Sequence, residues 1–556
     1  MTTSILNPIC DFVRCPAITV AAILAIVAPG PAVSDGAAAS RETATPGAAS
    51  DDEHDATASI QKAIDDCAPG GTVTLAPGNF LISRTLHVKS EVKIIGAGSD
   101  RTVLRFNGQT QMDFFDLSGA RNVELSGFTL EGNGDRNAHD GIFARTGGGH
   151  FLHHLTIQNL GSTNGPLGIH FVGQDGSYTN GVTDSIIADN TLRNIGTNSE
   201  WGGGIRLSWG SSRNQVLRNV IDNTGRGGIF ANDGSMDLVI RSNMVTRSGQ
   251  KAEKLGIEIW RDCDREVIEG NRLDHWLSIG GGSRVAARRN FINDPTGAIG
   301  FIGLEMIGQD LVVTDNVVDG GQQIGISVSN DAYNQRQFCG YNTIRKMIQW
   351  GAQLQGDRTG ARMLYFYRNK FLEMQRGNLA AIYRGADGRG FRFNGNCRQV
   401  TLDGNEISHN PAEGIELGGE GLDQLSIVNN TLIGNGFADV SGDPGSDLEW
   451  ANNRVADNGK NIQLTSRGFS NPKPIADFSC PAEARAGQGV SFVSISSAPS
   501  GSVEHVLWDF GDGVPGTRSN DSHTYDRPGT YRVTLVIWDS RGRGNLKERL
   551  IRIIPL

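Results

Sequence analysis

The sequence predicts an all-β chain wound as a parallel β-helix, with a separate β-sandwich at its end. Three observations carry that prediction. Glycine fills 74 of the 556 positions, about twice the usual share, with no G-X-Y period and only 18 prolines; the chain turns often without being collagen. An asparagine among short apolar segments recurs at Asn190, Asn219, Asn243, Asn271, Asn290, Asn316, Asn342, Asn369, Asn405, Asn430 and Asn453, a mean spacing of about 26 residues. A second phrase runs out of step with it: Gly141-Ile142, Gly168-Ile169, Gly204-Ile205, Gly228-Ile229, Gly256-Ile257, Gly303-Leu304, Gly325-Ile326 and Gly414-Ile415.

Taken in chain order, the first strong apolar run is Ala17 to Ala28, 12 residues against the roughly 20 that cross a bilayer, so no membrane span is expected. With Arg14 ahead of it and Ala32-Val33-Ser34 behind, it reads as the core of a bacterial-type secretory signal over 1–34, which places the mature chain in the periplasm or the medium. Residues 35–56, rich in Ala, Ser, Thr, Asp and Gly, read as a disordered spacer. Ile60, Ala63, Ile64 and Cys67 then make one apolar stripe on a short helix that caps a solenoid. Strands follow at Thr72–Leu75, Asn79–Ile82 and Val92–Ile95. A β-helix over 57–465 accommodates about 12 coils, stacked about 4.8 Å apart so that equivalent residues form columns. The asparagines read as an inward amide ladder at the turns, structural rather than functional. Cys67, Cys263, Cys339, Cys397 and Cys480 show neither a disulfide framework nor zinc spacing and read as small core residues. Residues 474–556 lose the repeat and alternate as antiparallel strands, as in Tyr531-Arg-Val-Thr-Leu-Val-Ile537. A net charge of −9 with scattered Lys and Arg leaves no electrostatic footprint for nucleic acid.

Two resemblances rest on these residues. Ala58-Ser-Ile-Gln-Lys-Ala-Ile-Asp-Asp-Cys67, Gly70-Gly-Thr-Val-Thr-Leu75, Pro77-Gly-Asn-Phe80 and Gly96-Ala-Gly98 resemble the opening of the pectate-lyase-like right-handed β-helix superfamily. Trp508-Asp-Phe-Gly-Asp-Gly513, His523-Thr-Tyr525 and Pro528-Gly-Thr-Tyr531 look like a PKD domain, an Ig-like sandwich in which Trp508 and Tyr525 belong to the core. The first resemblance implies right-handed coils and a polysaccharide substrate. It selects no reaction, because lyases, hydrolases, epimerases and phage depolymerases share the fold. The second implies a spacer, or a unit that contacts a glycan or a cell surface. The Asp-pair and Gly-His-Gly motifs of polygalacturonases and the Arg-containing signature of calcium-dependent pectate lyases are missing, so no catalytic residue carries across by identity. Asn137-Ala-His-Asp140 resembles the Asp-x-His-containing motif of alginate epimerases but lacks its flanking pattern.

Strand alternation turns the residue after each core isoleucine outward. Read coil by coil, that column is Phe143, His170, Arg206, Phe230, Glu258, Gly280, Glu305, Ser327, Gln353, Tyr383 and Glu416; two positions on lie Arg145, Ser208, Asn232 and Trp260. Aromatic faces, hydroxyl-binding groups and a few ionisable groups are what a glycan site requires. Phe143, Arg145, Phe230, Trp260, Arg261, Lys254 and Tyr383 are the candidate substrate contacts, with Lys251, Asp262 and Asp264 on adjacent loops. For β-elimination on a uronic-acid polymer, the leading reading, His170 is the base and Arg206 neutralises the carboxylate, with Tyr178, Lys254 or Arg261 assisting. For an inverting hydrolase, Glu258 and Glu305 lie two coils and about 9.6 Å apart around a notch at Gly280. The competing class is a non-catalytic adhesion rod. No cofactor is firmly implied; calcium is left open where Asp233, Asp237, Asp262 and Asp264 approach one another, without recognised loop spacing.

Overall fold

The computed structural model describes residues 43–44, 54–174, 178–294, 300–328, 335–356, 361–377, 387–462, 464–468 and 472–556. The expected signal, most of the spacer and Tyr383 lie outside the described residues. A helix over Thr57–Asp66 turns Ile60, Ala63 and Ile64 into the end of the solenoid, the stripe that the spacing predicts. The strands Thr72–Leu75, Gly78–Ile82 and Lys93–Gly96 follow. The chain then coils through parallel sheets, one of them a stack of 15 strands from Gly78–Ile82 to Arg454–Ala456. That makes about 14 turns rather than 12. Phe128 and Leu155 stand where later coils carry the asparagine, so a count that starts at Asn190 passes over the earliest coils.

The asparagines form one continuous inward ladder. Asn219 Nδ2 donates to the Ile187 carbonyl at 2.9 Å and to Asn243 Oδ1 at 3.0 Å, while its backbone N–H donates to that same Oδ1 at 2.9 Å. The set repeats through Asn316 and Asn369 to Asn430 and Asn453. Each buried amide is thereby satisfied where an unmade bond would cost about 1–3 kcal/mol. The residue before the rung is left-handed, with φ of 58° at Asp189 and 54° at Arg218, which turns the chain and sends those side chains outward as an ion pair of 2.6 Å. A second ladder, Asn410, Asn435 and Asn458, serves another corner of the last coils. Opposite the ladders, Ile142, Ile169, Ile205, Ile229 and Ile257 stack in register and are wholly buried. The preceding glycines permit this: a Cβ on Gly204 would stand 2.5 Å from the Gly228 carbonyl oxygen.

The C-terminal sandwich has a three-stranded and a four-stranded sheet around Trp508, Phe510, Tyr525 and Phe492. It packs on the flank of the solenoid. Val312, Phe338 and Tyr365, an outward apolar column, meet Leu507, Val536 and Trp538 of the sandwich. Beside them Arg288 Nη2 donates to Asp509 Oδ1 at 2.5 Å and Nη1 to the Gly513 carbonyl at 2.6 Å, with both charged side chains almost fully buried. Arg532 pairs with Asp315 at 2.8 Å. Within the Trp508–Gly513 segment, Trp508 and Phe510 thus point into the sandwich core while Asp509 and Gly513 bond the solenoid. Among the described residues no helix is long and apolar enough to cross a membrane, and no cysteine is in a disulfide.

Not every buried polar group is satisfied in this way. Glu266 stacks between Leu238 and Val285, is fully buried, and has no hydrogen-bond partner on either carboxylate oxygen. Burial, then the Asp264 and Asp237 charges, pushes its carboxyl well above the usual range, so the folded chain keeps it protonated.

Two measurements follow. The unfolded chain releases the Glu266 proton above about pH 4.3, so the folded state loses stability as pH rises from there toward the raised folded-state value. Glu266→Leu should therefore stabilise by about 1–3 kcal/mol at pH 4 and by more at pH 8; an equal gain at both pH values in urea unfolding would reject a protonated Glu266. At the domain contact, Arg288→Met or Asp509→Leu alone should destabilise by about 3–5 kcal/mol by stranding the partner charge, and the double variant by less than the sum. Single variants that leave the calorimetric melting profile untouched would rule out a buried contact there.

Candidate active site

Strand register sets the outward column as Phe143, His170, Arg206, Phe230, Glu258, Ser278, Glu305, Ser327, Gln353, Arg392 and Glu416. Ser278 stands where Gly280 is expected, because Leu277 rather than Ile279 continues the core row after Ile257. Gly280 belongs to the neighbouring column, opposite Trp260, in line with Ser208 and Asn232. Arg392 follows Gln353 directly, and Tyr383 lies outside the described residues.

His170 is fixed from behind. Its Nδ1 lies 2.9 Å from Asp140 Oδ2, and Asp140, wholly buried, accepts the Leu167 N–H at 2.7 Å. The Phe143 ring meets the imidazole edge to face at 5.4 Å. With Nδ1 engaged, Nε2 is the nitrogen that can exchange a proton. Behind the pair, His139 Nδ1 lies 2.9 Å from Asp113 and 3.3 Å from Asp140. Burial alone would lower the His139 imidazole, but the hydrogen bond to Asp113 and the Asp140 and Asp113 charges raise it to about 9. At neutral pH it is a cation that balances the two carboxylates. Among the described residues this is the one group with metal-ligand spacing, and the His139 proton already ties it together.

Arg206 is the next residue of the column. Its nearest carboxylate oxygen, Asp233 Oδ2, is 3.9 Å away, a looser hold than the 2.8 Å between Arg261 and Asp233. Burial, opposed by the Asp233 and Glu258 charges, lowers the guanidinium from its ordinary value, but it stays charged. The wall continues over Arg261 to Asp262, which accepts the Tyr178 hydroxyl at 3.0 Å. Arg261 and Asp262 are consecutive left-handed residues, φ 57° and 60°, a conformation that costs about 1–2 kcal/mol each and here is held by Asp233 and Tyr178. Gly234, φ 76°, leaves room for the Tyr178 ring, whose Cγ would stand 2.4 Å from a Cβ there. His170, Arg206, Asp233, Arg261, Asp262 and Tyr178 therefore form one connected surface.

The two glutamates sit differently from expectation. They keep their separation of two strands, but Glu258 is 6% and Glu305 8% exposed. Glu258 accepts from Arg226 and Asn232, both at 3.0 Å, and Glu305 from Ser278 at 2.7 Å. Neither is an open carboxylate beside a notch. Phe230, only 4% exposed, packs with Leu167 and Leu255 beneath the surface instead of presenting a ring to solvent. Trp260, Arg261 and Arg145 are exposed, and Phe143 is half-buried. Lys254 lies half-buried on its loop, where its charge bears on His275. Asp233, Asp237, Asp262 and Asp264, where calcium is left open, are engaged by Arg261, Arg265, Tyr178 and Arg284 respectively. The column rule passes over Asp140, although it directly precedes Gly141-Ile142, because it lies at the corner before the strand. It also passes over Arg226 and Trp201, which loops bring together with the guanidinium carbon 4.6 Å from the ring centre.

The sequence matches three families: rhamnogalacturonase A/epimerase, pectate lyase-like, over residues 40–119; right handed beta helix region over 110–274; and PKD domain over 471–553. A microbial collagenase of Vibrio alginolyticus is 38% identical over 74 residues, 13% of this chain and 9% of the relative. The chain thus spans about a tenth of the length of that curated relative. Among solved structures, the A-module of the mannuronan C-5 epimerase AlgE4 of Azotobacter vinelandii is 17% identical, with 76% of this chain and 98% of that one covered at a TM-score of 0.34. The catalytic unit of the GH87 α-1,3-glucanase of Streptomyces thermodiastaticus is 16% identical, with 78% and 73% covered at a TM-score of 0.36. Joined to the stacked coils and the docked sandwich, the family matches identify the chain as a pectate-lyase-like right-handed β-helix followed by a PKD domain.

Proposed function

We propose that the protein is an exported enzyme that cleaves an acidic polysaccharide by β-elimination. The observation that carries this reading is the Asp140–His170 pair with Arg206 next to it in the column. A uronate carboxylate against the Arg206 guanidinium gains a charge partner, which stabilises the negative charge that develops when C5 loses its proton. His170 Nε2 takes that proton. The C5–H electron pair becomes the C4–C5 double bond, the C4–O bond breaks, and the leaving oxygen takes the proton of the Tyr178 hydroxyl. Burial, with Asp262 beside it, raises the Tyr178 phenol, so it remains a proton donor into the alkaline range and is still acidic enough for an alkoxide. Asp140 acts through His170, as a positioning residue. Arg145, Trp260 and Arg261 offer exposed contacts for flanking sugars, and the short apolar run at Ala17 to Ala28 supports export.

Purified protein incubated with uronic-acid glycans should generate the ultraviolet absorbance of an unsaturated uronate. His170→Ala and Tyr178→Phe should each lower kcat by about 10²–10⁴ without loss of folding, whereas Arg206→Ala should lower kcat and raise KM. Reducing ends without that absorbance would instead support hydrolysis by the carboxylates of Glu258 and Glu305. Neither signal on any glycan would leave the adhesion rod as the better reading.

A further inference from the structure

Arg206 shares its surroundings with two carboxylates, Asp233 and Glu258, whose charges both act on it. Each of them is held by a different arginine: Asp233 by Arg261 at 2.8 Å, and Glu258 by Arg226 at 3.0 Å. We propose that Arg226 is a positioning residue: by holding Glu258 it keeps the Arg206 guanidinium open to the substrate carboxylate. This rests on the elimination reading above and adds to it the residue that leaves the carboxylate-binding cation free.

Glu258 is otherwise a ready partner for Arg206. The two lie two coils apart in one column, about 9.6 Å between backbones, a gap that extended arginine and glutamate side chains close. Phe230 stands between them in the column but does not fill the gap. Its ring lies over two glycines: a Cβ on Gly203 would stand 2.3 Å from Phe230 Cε2, and one on Gly227 3.0 Å from its Cζ. Glu258 is a buried charge, which requires a partner. Arg226 Nη2 and Asn232 Nδ2 supply that partner, both donating at 3.0 Å.

Arg226 is fixed for the task from several sides. It directly precedes the strand Gly227–Asn232; its N–H donates to the Gly202 carbonyl at 2.8 Å, and its carbonyl accepts the Leu255 N–H at 3.3 Å. Its guanidinium carbon lies 4.6 Å from the Trp201 ring centre and 5.9 Å from that of Phe230. Glu253 adds a weaker hold at 3.5 Å. Arg206, by contrast, makes no hydrogen bond through Nε, and its nearest carboxylate oxygen is 3.9 Å away. With Arg226 spent on Glu258 and Arg261 on Asp233, the uncommitted cation of the three is Arg206. An incoming carboxylate meets an open guanidinium fork there rather than one that it must first draw away from Glu258.

The test follows unsaturated product from a uronic-acid glycan with the full-length chain, Arg226→Met, Glu258→Gln and the double variant, with Arg206→Ala for comparison. Arg226→Met keeps an apolar stem beside Trp201 and removes the charge. It should raise KM by about tenfold and lower kcat, in the same sense as Arg206→Ala. With Glu258→Gln added, KM should come to within about threefold of that of Glu258→Gln alone, because the competing charge is gone. A loss of packing alone would reduce the amount of active enzyme, leave KM where it was and take no account of residue 258. If Arg226→Met fails to fold, Arg226→Gln, which leaves Glu258 a neutral donor, takes its place in the same comparison. An unchanged KM in the Arg226 variant overturns the inference. So does a double variant that stays about tenfold above Glu258→Gln, since Arg226 would then act on the substrate itself; elimination stands in both cases. No unsaturated product from the wild type on any uronic-acid glycan overturns elimination and the inference together.

Discussion

Registered stacking of coil on coil is the constraint on which every other feature depends, and the asparagine ladder is the interaction that enforces it. A rung satisfies its own amide only when the next coil places an identical amide directly above it, so a coil slipped by one residue would strand buried donors and acceptors along the corner. The isoleucine column adds apolar burial, but an apolar side chain tolerates small displacements that a two-centre hydrogen bond does not. The ladder thus contributes specificity of register, and the apolar core contributes most of the driving force.

Because register is enforced, residues some 30 positions apart in the chain become neighbours on one face, and the chemistry is assembled from that adjacency. Asp140, His170, Arg206, Asp233 and Arg261 come from successive or nearly successive coils. The electrostatics are arranged in depth: a protonated His139 behind Asp140, Asp140 behind His170, and a loosely held Arg206 beside the imidazole. Left-handed residues turn the chain at many corners, and at Asp233, Arg261 and Asp262 they fall on this surface.

The sandwich domain shows how one surface can replace another. The apolar column Val312, Phe338 and Tyr365 on the solenoid flank would be an exposed patch in a free rod; here it is covered by Leu507, Val536 and Trp538 and rimmed by buried charge pairs. The Asp509 carboxylate belongs to a segment that marks PKD domains in general, yet in this chain its partner is Arg288 of the solenoid.

By itself the sequence determined the periodic parts of this protein: the capping stripe at Ile60, Ala63 and Ile64, the eleven ladder asparagines, the buried isoleucine row, and the change to an antiparallel sandwich after residue 474. Each is a local pattern repeated, and repetition is what stacking converts directly into position. It also brought His170, Arg206, Glu258 and Glu305 onto one column, since a period-2 strand and a fixed coil determine which residues face outward. Only the tertiary structure decided what those residues are worth. Whether Glu258 is open or clamped depends on Asn232, at the end of the preceding coil's strand, and on Arg226, on a corner just before that strand. The substitution of Ser278 for Gly280 depends on which of two apolar residues, Leu277 or Ile279, the core accepts. The partners Asp140, Tyr178 and Asp262 stand on irregular turns outside any period, where position follows from three-dimensional packing rather than from spacing along the chain.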